Sequence, residues 1–297
     1  MVNGIKISPA LYQPTPEGMQ QLCQHYSGKY GISLHCLDLR PYMDSGDNIF
    51  PFFKFLSQHP LLLDMEENET KGIVLTHGKY HAVPVMLQKK EGTLHIFSFD
   101  STAGFRVQGY FRIAALFPEA RFYLNAGTRQ ADDGSCLTDA VCILKEALQL
   151  PDMVTMLESK IFAEHRAFQS SFFRTIERPS NFFLFKMPEP LLFTAQVSKY
   201  ITEADADLNV MLRNGLTLRE YRDKYVFQVN LISDEAVGQV KSINSYLYVK
   251  SGEHKAVLDQ IQANDCTEDD QEVIDCMNNT SSSPRSDDRV RWTALSR

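Results

Sequence analysis

The spacing of hydrophobic positions changes several times along the chain and divides it into helical and strand-like regions. Residues 1–70 predict an N-terminal region of short helices. In the segment TPEGMQQLCQHY, Thr15 is placed as a helix N-cap and Pro16 at the first helical position. The segment NIFPFFKFLSQH is a second apolar helix candidate.

From Gly72 the pattern becomes strand-like. GIVLTHGKYHAVPVMLQ is rich in Val, Ile and Leu, KKEG is typical of a turn, and TLHIFSFD predicts the next strand. Pro84 interrupts the first of these strands, which indicates an edge position or a local irregularity.

A helix, a strand and a second helix follow. FRVQGYFRIAALFP has helical spacing, RFYLN predicts a short strand, and CLTDAVCILKEALQL predicts a one-faced helix that begins at Cys136. We therefore expect a core over residues 71–150, a mainly helical region over 151–263, and a polar, disordered tail over 264–297.

Composition and charge exclude several classes of function. The net charge of −7 and the lack of a Lys/Arg cluster disfavour nucleic-acid binding. The N-terminal stretch has no apolar core of signal-peptide length, and nothing approaches the roughly 18 apolar residues of a membrane span. These two features predict a soluble protein made in the cytoplasm. The six cysteines show no framework spacing, which predicts reduced thiols.

The first candidate chemistry lies on the predicted hairpin. If Gln88 and Thr93 close a four-residue loop, His81 lies directly opposite Asp100 on one face. A carboxylate beside one ring nitrogen would hold the imidazole and favour a basic nitrogen on its other side.

The second candidate lies in the loop TRQADDGSC. Cys136 opens a helix, where the helix dipole and a neighbouring histidine stabilise a thiolate nucleophile. The backbone N–H of Cys136 and the side-chain amide of Gln130 would supply two donors for an oxyanion hole. The order along the chain is base, acid, oxyanion donor and nucleophile.

This order resembles the clan CE cysteine peptidases, the ubiquitin-like-protease group, which also includes bacterial effector deubiquitinases and YopJ-type acetyltransferases. FDSTAG is similar to the family stretch around the acid, and QADDGSC to the stretch that ends in the nucleophile. The resemblance covers about residues 72–150. It implies an α+β fold with a ubiquitin-like-protease (papain-like cysteine protease) core, in which a small mixed sheet is flanked by helices, plus extra N- and C-terminal helices.

The resemblance implies a cysteine protease that removes ubiquitin or a ubiquitin-like modifier from conjugates, with a His81–Asp100–Cys136 triad and an oxyanion hole from Gln130 and Cys136. No metal or organic cofactor is expected. Ala82 stands where family members often carry Trp, and Leu137 where they carry Gly, which favours a divergent bacterial effector, secreted and acting in the host cytoplasm.

Two other functions stay open. One is a YopJ-type acetyltransferase, which would use acetyl-CoA on Ser, Thr or Lys of host proteins; inositol hexakisphosphate activation in that group needs a basic pocket, which the acidic balance disfavours. The other is a catalytically silent ubiquitin-binding module.

Other residues compete for these roles. Cys142 lies mid-helix, where a core position is expected. His77 precedes the strand, and His95 falls on the hairpin face opposite Asp100. His77 and His81 have a zinc-motif spacing, but no Glu follows the first and Gly78 disfavours a helix, so zinc is not expected.

Overall fold

The chain divides into two compact units, Met1–Ala256 and Val257–Arg297. The first unit holds the sheet and the candidate site, and the described part of the second is helical. The computed structural model describes residues 11–39, 64–77, 81–101, 107–130, 134–157, 160–162, 178–197, 200–201, 206–231, 239–244 and 246–279.

The described elements comprise helices and strands, with four consecutive strands after the first helix. The helices are α1 (Pro16–Tyr30), α2 (Val107–Ala114), α3 (Cys136–Ala147), α4 (Met153–Leu157), a 3-10 helix (Glu189–Thr194), α5 (Leu218–Tyr225) and α6 (Tyr246–Asn279). The strands are β1 (Leu34–Asp38), β2 (Thr70–His77), β3 (His81–Lys90), β4 (Thr93–Ser98), β5 (Arg121–Asn125), β6 (Ile161–Phe162), β7 (Phe182–Phe185), β8 (Val226–Leu231) and β9 (Gln239–Asn244).

The main sheet is mixed and has seven strands in the order β1-β2-β3-β4-β5-β7-β6. The pairs β1–β2, β4–β5 and β5–β7 are parallel, and β2–β3, β3–β4 and β6–β7 are antiparallel. Strands β8 and β9 form a separate antiparallel pair. This architecture confirms the expected α+β core, a mixed sheet flanked by helices.

Helices cover both faces of the sheet. Alternate residues of the strands, such as Ile73, Val85 and Ile96, form one buried cluster with Tyr110 and Ile113 of α2. Helix α3 packs against β2 and β3. A Cβ on Gly72 would lie 2.7 Å from Leu148, so glycine lets the chain just beyond α3 approach β2 closely.

The β3–β4 hairpin differs from the predicted register. Lys90 pairs with Thr93, so the loop has two residues rather than four. Glu91 and Gly92 have φ values of 52° and 73°, the sign that a type I′ turn requires at both positions. The predicted opposition of His81 and Asp100 is therefore wrong by two residues. Since side chains alternate with period two, this shift leaves both residues on the predicted face.

Several local predictions hold. Thr15 caps α1 by accepting a hydrogen bond from the Gly18 N–H, with Pro16 first in the helix. Helix α3 begins at Cys136, and RFYLN forms β5. The segment NIFPFFKFLSQH lies outside the described residues.

Pro84 is not on an edge strand. Strand β3 lies between β2 and β4, and the pairing of β3 with β4 stops at Val85, next to the proline. The Pro84 carbonyl still accepts a hydrogen bond from the Phe99 N–H at 2.9 Å. The proline therefore lies where the pairing between β3 and β4 ends. Beyond this point, His81 and Asp100 are no longer paired across these two strands.

The C-terminal regions contain more regular structure than expected. Residues 151–263, expected to be mainly helical, include the strands β6 to β9. The aromatic run FFLF forms β7, as aromatic residues favour strands. Helix α6 extends to Asn279, into the segment 264–297 that was expected to be disordered.

Candidate active site

The ends of two neighbouring strands bring an imidazole and a carboxylate together. His81 is the first residue of β3, and Asp100 lies two residues beyond β4. The His81 Nε2 atom lies 3.3 Å from Asp100 Oδ1. The Asp100 side chain is fully buried, while that of His81 is 15 % exposed, so the imidazole forms the accessible side of the pair.

Helix α2 fixes the second carboxylate oxygen. The hydroxyl of Tyr110, itself fully buried, donates a 2.7 Å hydrogen bond to Asp100 Oδ2. The two oxygens of Asp100 therefore face different partners, His81 on one side and Tyr110 on the other. This arrangement restricts rotation of the carboxylate and keeps Oδ1 directed at the imidazole.

Cys136 approaches His81 from the first position of α3. The residue is 1 % exposed, and its thiol forms a hydrogen bond with His81. Because Asp100 contacts Nε2, Nδ1 is the ring nitrogen that remains to exchange a proton with the sulfur. The helix N-terminus adds a positive end of the dipole beside the thiol.

The electrostatics of the site favour a charged imidazole. Burial alone would lower the pKa of His81, but hydrogen bonds and charge interactions with Asp100 and Cys136 outweigh it and raise the pKa to about 9. At neutral pH the site thus stabilises an imidazolium between a carboxylate and a sulfur. An imidazolium is the form in which the histidine of a cysteine–histidine nucleophilic pair supports the sulfur.

Gln130 is held beside this group by Ser101. The Ser101 hydroxyl donates to Gln130 Oε1 at 2.5 Å, and the Gln130 N–H donates to the Ser101 carbonyl at 3.3 Å. Ser101 follows Asp100 directly, so one segment contacts both the acid and the amide. With Oε1 accepting this bond, Nε2 is the end of the side chain that donates, as an oxyanion donor must.

A buried ion pair connects segments that carry the candidate site residues. Both guanidinium NH groups of Arg129 bind the carboxylate of Asp139, and both side chains are 1 % exposed. Arg129 also donates to the Phe99 carbonyl at 2.6 Å and to Thr194 Oγ1 at 2.9 Å. One side chain therefore joins the residue before the acid, the first turn of α3 and the 3-10 helix.

Cys142 and His95 have other surroundings, whereas His77 ends β2 beside His81. Cys142 is fully buried within α3, and burial raises the pKa of its thiol to about 11. The His95 ring is 3.0 Å from the Tyr123 hydroxyl, and burial lowers its pKa to about 4. His77 pairs with His81 across β2 and β3. Within the described part of the chain, no three His, Cys, Asp or Glu residues form a metal-binding group.

Sequence reasoning missed the residues that support the site. Tyr110 lies in FRVQGYFRIAALFP, which predicted only a helix, although a buried tyrosine hydroxyl needs a partner. Arg129 and Ser101 each neighbour a residue that was singled out, but neither has a motif of its own. The sequence did offer one signal for this support. Arg129, next to Gln130, has the charge opposite to that of Asp139 in the first turn of α3.

Comparisons with known proteins agree on fold but not on sequence. No protein-family model matches the chain, and no curated protein matches it in sequence. A solved structure of an AvrA deletion variant with IP6 and CoA has a TM-score of 0.54 at 15 % identity, covering 82 % of this chain and 87 % of that one. The chain shares the fold of AvrA.

Two solved structures of HopZ1a also share this fold. Its complex with IP6 and CoA has a TM-score of 0.51 at 10 % identity, over 82 % of this chain and 84 % of that one. Its complex with IP6 has a TM-score of 0.52 at 12 % identity, over 83 % and 84 %. The similarity extends well beyond residues 72–150, to which the sequence resemblance was limited.

Proposed function

We propose that this protein is an acyltransferase of the YopJ type, with Cys136 carrying the acyl group and an acyl-CoA thioester as donor substrate. The observation that carries the proposal is the shared fold with AvrA and HopZ1a structures that contain CoA. CoA and IP6 are the two ligands that the YopJ-type resemblance implies. This reading favours the alternative from the sequence over the deubiquitinase.

The first half of the reaction is thioester exchange. The Cys136 thiolate attacks the thioester carbonyl, and the developing oxyanion accepts hydrogen bonds from Gln130 Nε2 and from the start of α3. The carbon–sulfur bond to CoA breaks, and His81 gives its proton to the leaving CoA thiolate. The acyl group is then on Cys136 and His81 is neutral.

The second half transfers the acyl group. A hydroxyl or amine of a protein substrate attacks the acyl carbonyl on Cys136, and neutral His81 takes the proton of the attacking group. The bond to Cys136 breaks and its thiolate is restored next to the imidazolium. Asp100, held by Tyr110, keeps the ring oriented through both halves.

The residue after the histidine supports acyl transfer over cleavage at a Gly-Gly tail. Ala82 is small and 1 % exposed, so it provides no aromatic wall over an extended tail. A protease would differ only in the second half, where water attacks the acyl-enzyme. The identity of the acceptor therefore separates the two functions.

Three lysines of the described residues, one each in α1, α3 and α6, already contact aromatic rings or carboxylates. Lys29 and Lys145 both lie over the ring of Tyr30, and Lys145 and Lys250 each meet a glutamate, at 3.7 Å and 2.5 Å. A hexakisphosphate needs clustered cations without carboxylate partners. We therefore assign no step to IP6.

Partners and location follow from the same resemblance. We propose host proteins with reactive Ser, Thr or Lys as acceptors, and delivery of the chain into a host cell as an effector. Among the described residues no helix is both long and apolar enough to cross a bilayer.

The test is acylation of the protein itself. Incubation with radiolabelled acetyl-CoA should label the wild type at Cys136, with loss of label in Cys136→Ala and no effect in the matched control Cys142→Ala. A panel of ubiquitin and ubiquitin-like electrophilic probes is run in parallel. Probe adducts at Cys136 without acetyl labelling would support the deubiquitinase, and binding without either reaction would support a silent module.

A further inference from the structure

Helix α1 and strand β1 bring two cysteines together away from the candidate active site. Gly31 ends α1 with a φ of 63°, and the chain turns back into β1. Ser27 Oγ donates to the Leu34 carbonyl at 3.0 Å and accepts from the Leu34 N–H at 3.1 Å. This fixes Ser27 opposite Leu34 and sets the register between helix and strand.

The register places Cys23 opposite Cys36. Cys23 lies one helical turn before Ser27 on the same face of α1, a rise of about 6 Å. Cys36 lies two residues after Leu34 on the same face of β1, a rise of about 6.6 Å in the returning direction. The two thiols form a hydrogen bond with each other, in agreement with this geometry.

The two thiols differ in accessibility. Cys23 is 1 % exposed, whereas Cys36 is only partly buried. The hydrogen bond from Cys23 lowers the pKa of Cys36, while the same bond and burial raise the pKa of Cys23. Cys36 is therefore suited to react first with a reagent from solvent, and Cys23 to react second from within.

We propose that Cys23 and Cys36 form a thiol–disulfide exchange site whose substrate is a low-molecular-weight disulfide such as oxidised glutathione. The Cys36 thiolate attacks one sulfur of oxidised glutathione and releases one glutathione thiolate, leaving a mixed disulfide. The Cys23 thiolate then attacks the Cys36 sulfur and releases the second glutathione. The two protons from the protein thiols go to the two glutathiones, so the protein is oxidised and the glutathione reduced.

The product would join α1 to the edge of the sheet. Strand β1 pairs through Cys36 with Val74 of β2, and β2 pairs with β3, which begins at His81. A bond between Cys23 and Cys36 closes only a short loop and replaces an existing contact. We therefore expect higher thermal stability without displacement of the sheet.

The test uses the full chain with its other thiols removed. The parent carries Cys136→Ala, Cys142→Ala, Cys266→Ser and Cys276→Ser, so the result does not depend on the proposed acyl transfer. After incubation with oxidised glutathione and an acid quench, intact mass should fall by about 2 Da, and peptide mapping should find a Cys23–Cys36 disulfide. The oxidised parent should also unfold at a Tm several degrees higher.

Two further variants of the parent identify the order of reaction. Adding Cys23→Ala should trap one glutathione on Cys36, and adding Cys36→Ser should abolish the reaction, with circular dichroism confirming that each variant is folded. A parent that keeps a stable mixed disulfide at Cys36, or that does not react at all, would overturn the proposal. Release of both glutathiones with no rise in Tm would overturn the predicted link between α1 and β1.

Discussion

The buried pair of Arg129 and Asp139 gives the largest expected effect of a single substitution. Arg129→Met removes the guanidinium and keeps much of the apolar length of the side chain. It leaves the Asp139 carboxylate, 1 % exposed, without its bidentate partner, and the Phe99 carbonyl and Thr194 hydroxyl without a donor. The substitution therefore affects stability and the support of the site together.

The magnitude follows from these lost contacts. Removing one partner of a buried ion pair costs about 3–5 kcal/mol, and a buried carbonyl without a donor adds roughly 1 kcal/mol. Burial raises the pKa of Asp139, and Arg129 opposes this rise. In the variant without Arg129, the Asp139 carboxyl will therefore take up a proton. This protonation limits the loss of stability. Against a typical total of about 5–15 kcal/mol, the protein would lose roughly a quarter or more of its stability.

Urea denaturation followed by circular dichroism measures this effect. The matched control is Lys160→Met, which breaks the pair Lys160–Glu189, whose side chains are 21 % and 20 % exposed. That change should cost less than about 1 kcal/mol. The double variant Arg129→Met with Asp139→Leu should recover part of the loss, because no unpaired charge remains. A cost for Arg129→Met no larger than that of Lys160→Met would refute the reasoning.

Three further predictions concern the candidate site. Gln130→Ala should lower the rate of Cys136 acylation about 10²–10³-fold with little change in donor affinity, measured by single-turnover labelling; an unchanged rate would remove Gln130 from the oxyanion hole. Tyr110→Phe should reduce stability by about 1.5–3 kcal/mol and slow iodoacetamide alkylation of Cys136, and normal alkylation would show that the hydroxyl does not position Asp100. The pKa of His81 is raised from 6.5 to about 9. The protonated imidazole therefore stabilises the fold fully below pH 6.5, and this contribution is lost as the pH rises through 9. The Tm of the wild type should fall over this range, and that of His81→Gln should not.

The sequence predicted the order of the core elements because each had a local signal. The capping of α1 by Thr15 and the start of α3 at Cys136 depend on residues within one helical turn. The hairpin register was wrong because Glu91-Gly92 is a less familiar two-residue turn than Asn-Gly, and positive φ at Glu91 has no sequence signature. The pairing of β7 with β5 depends on distant residues and had no local signal.

The site was predictable where order along the chain carried information. The true register differs from the predicted one by two residues, and an even shift keeps His81 and Asp100 on the same face of the hairpin. The two side chains are therefore close although the predicted register was wrong. Tyr110 and Arg129 support the site through contacts with other elements of the fold, and no local sequence pattern indicates these contacts. The net charge was taken as evidence against a YopJ-type enzyme, but a sum over the chain does not show where the charges lie, and the fold is shared with AvrA.

The ion pair between Arg129 and Asp139 has a consequence for the geometry of the candidate site. Gln130 directly follows Arg129, and Cys136 lies three residues before Asp139 in the same helix. The spacing between the proposed oxyanion donor and the proposed nucleophile therefore depends on one buried contact between a loop and a helix.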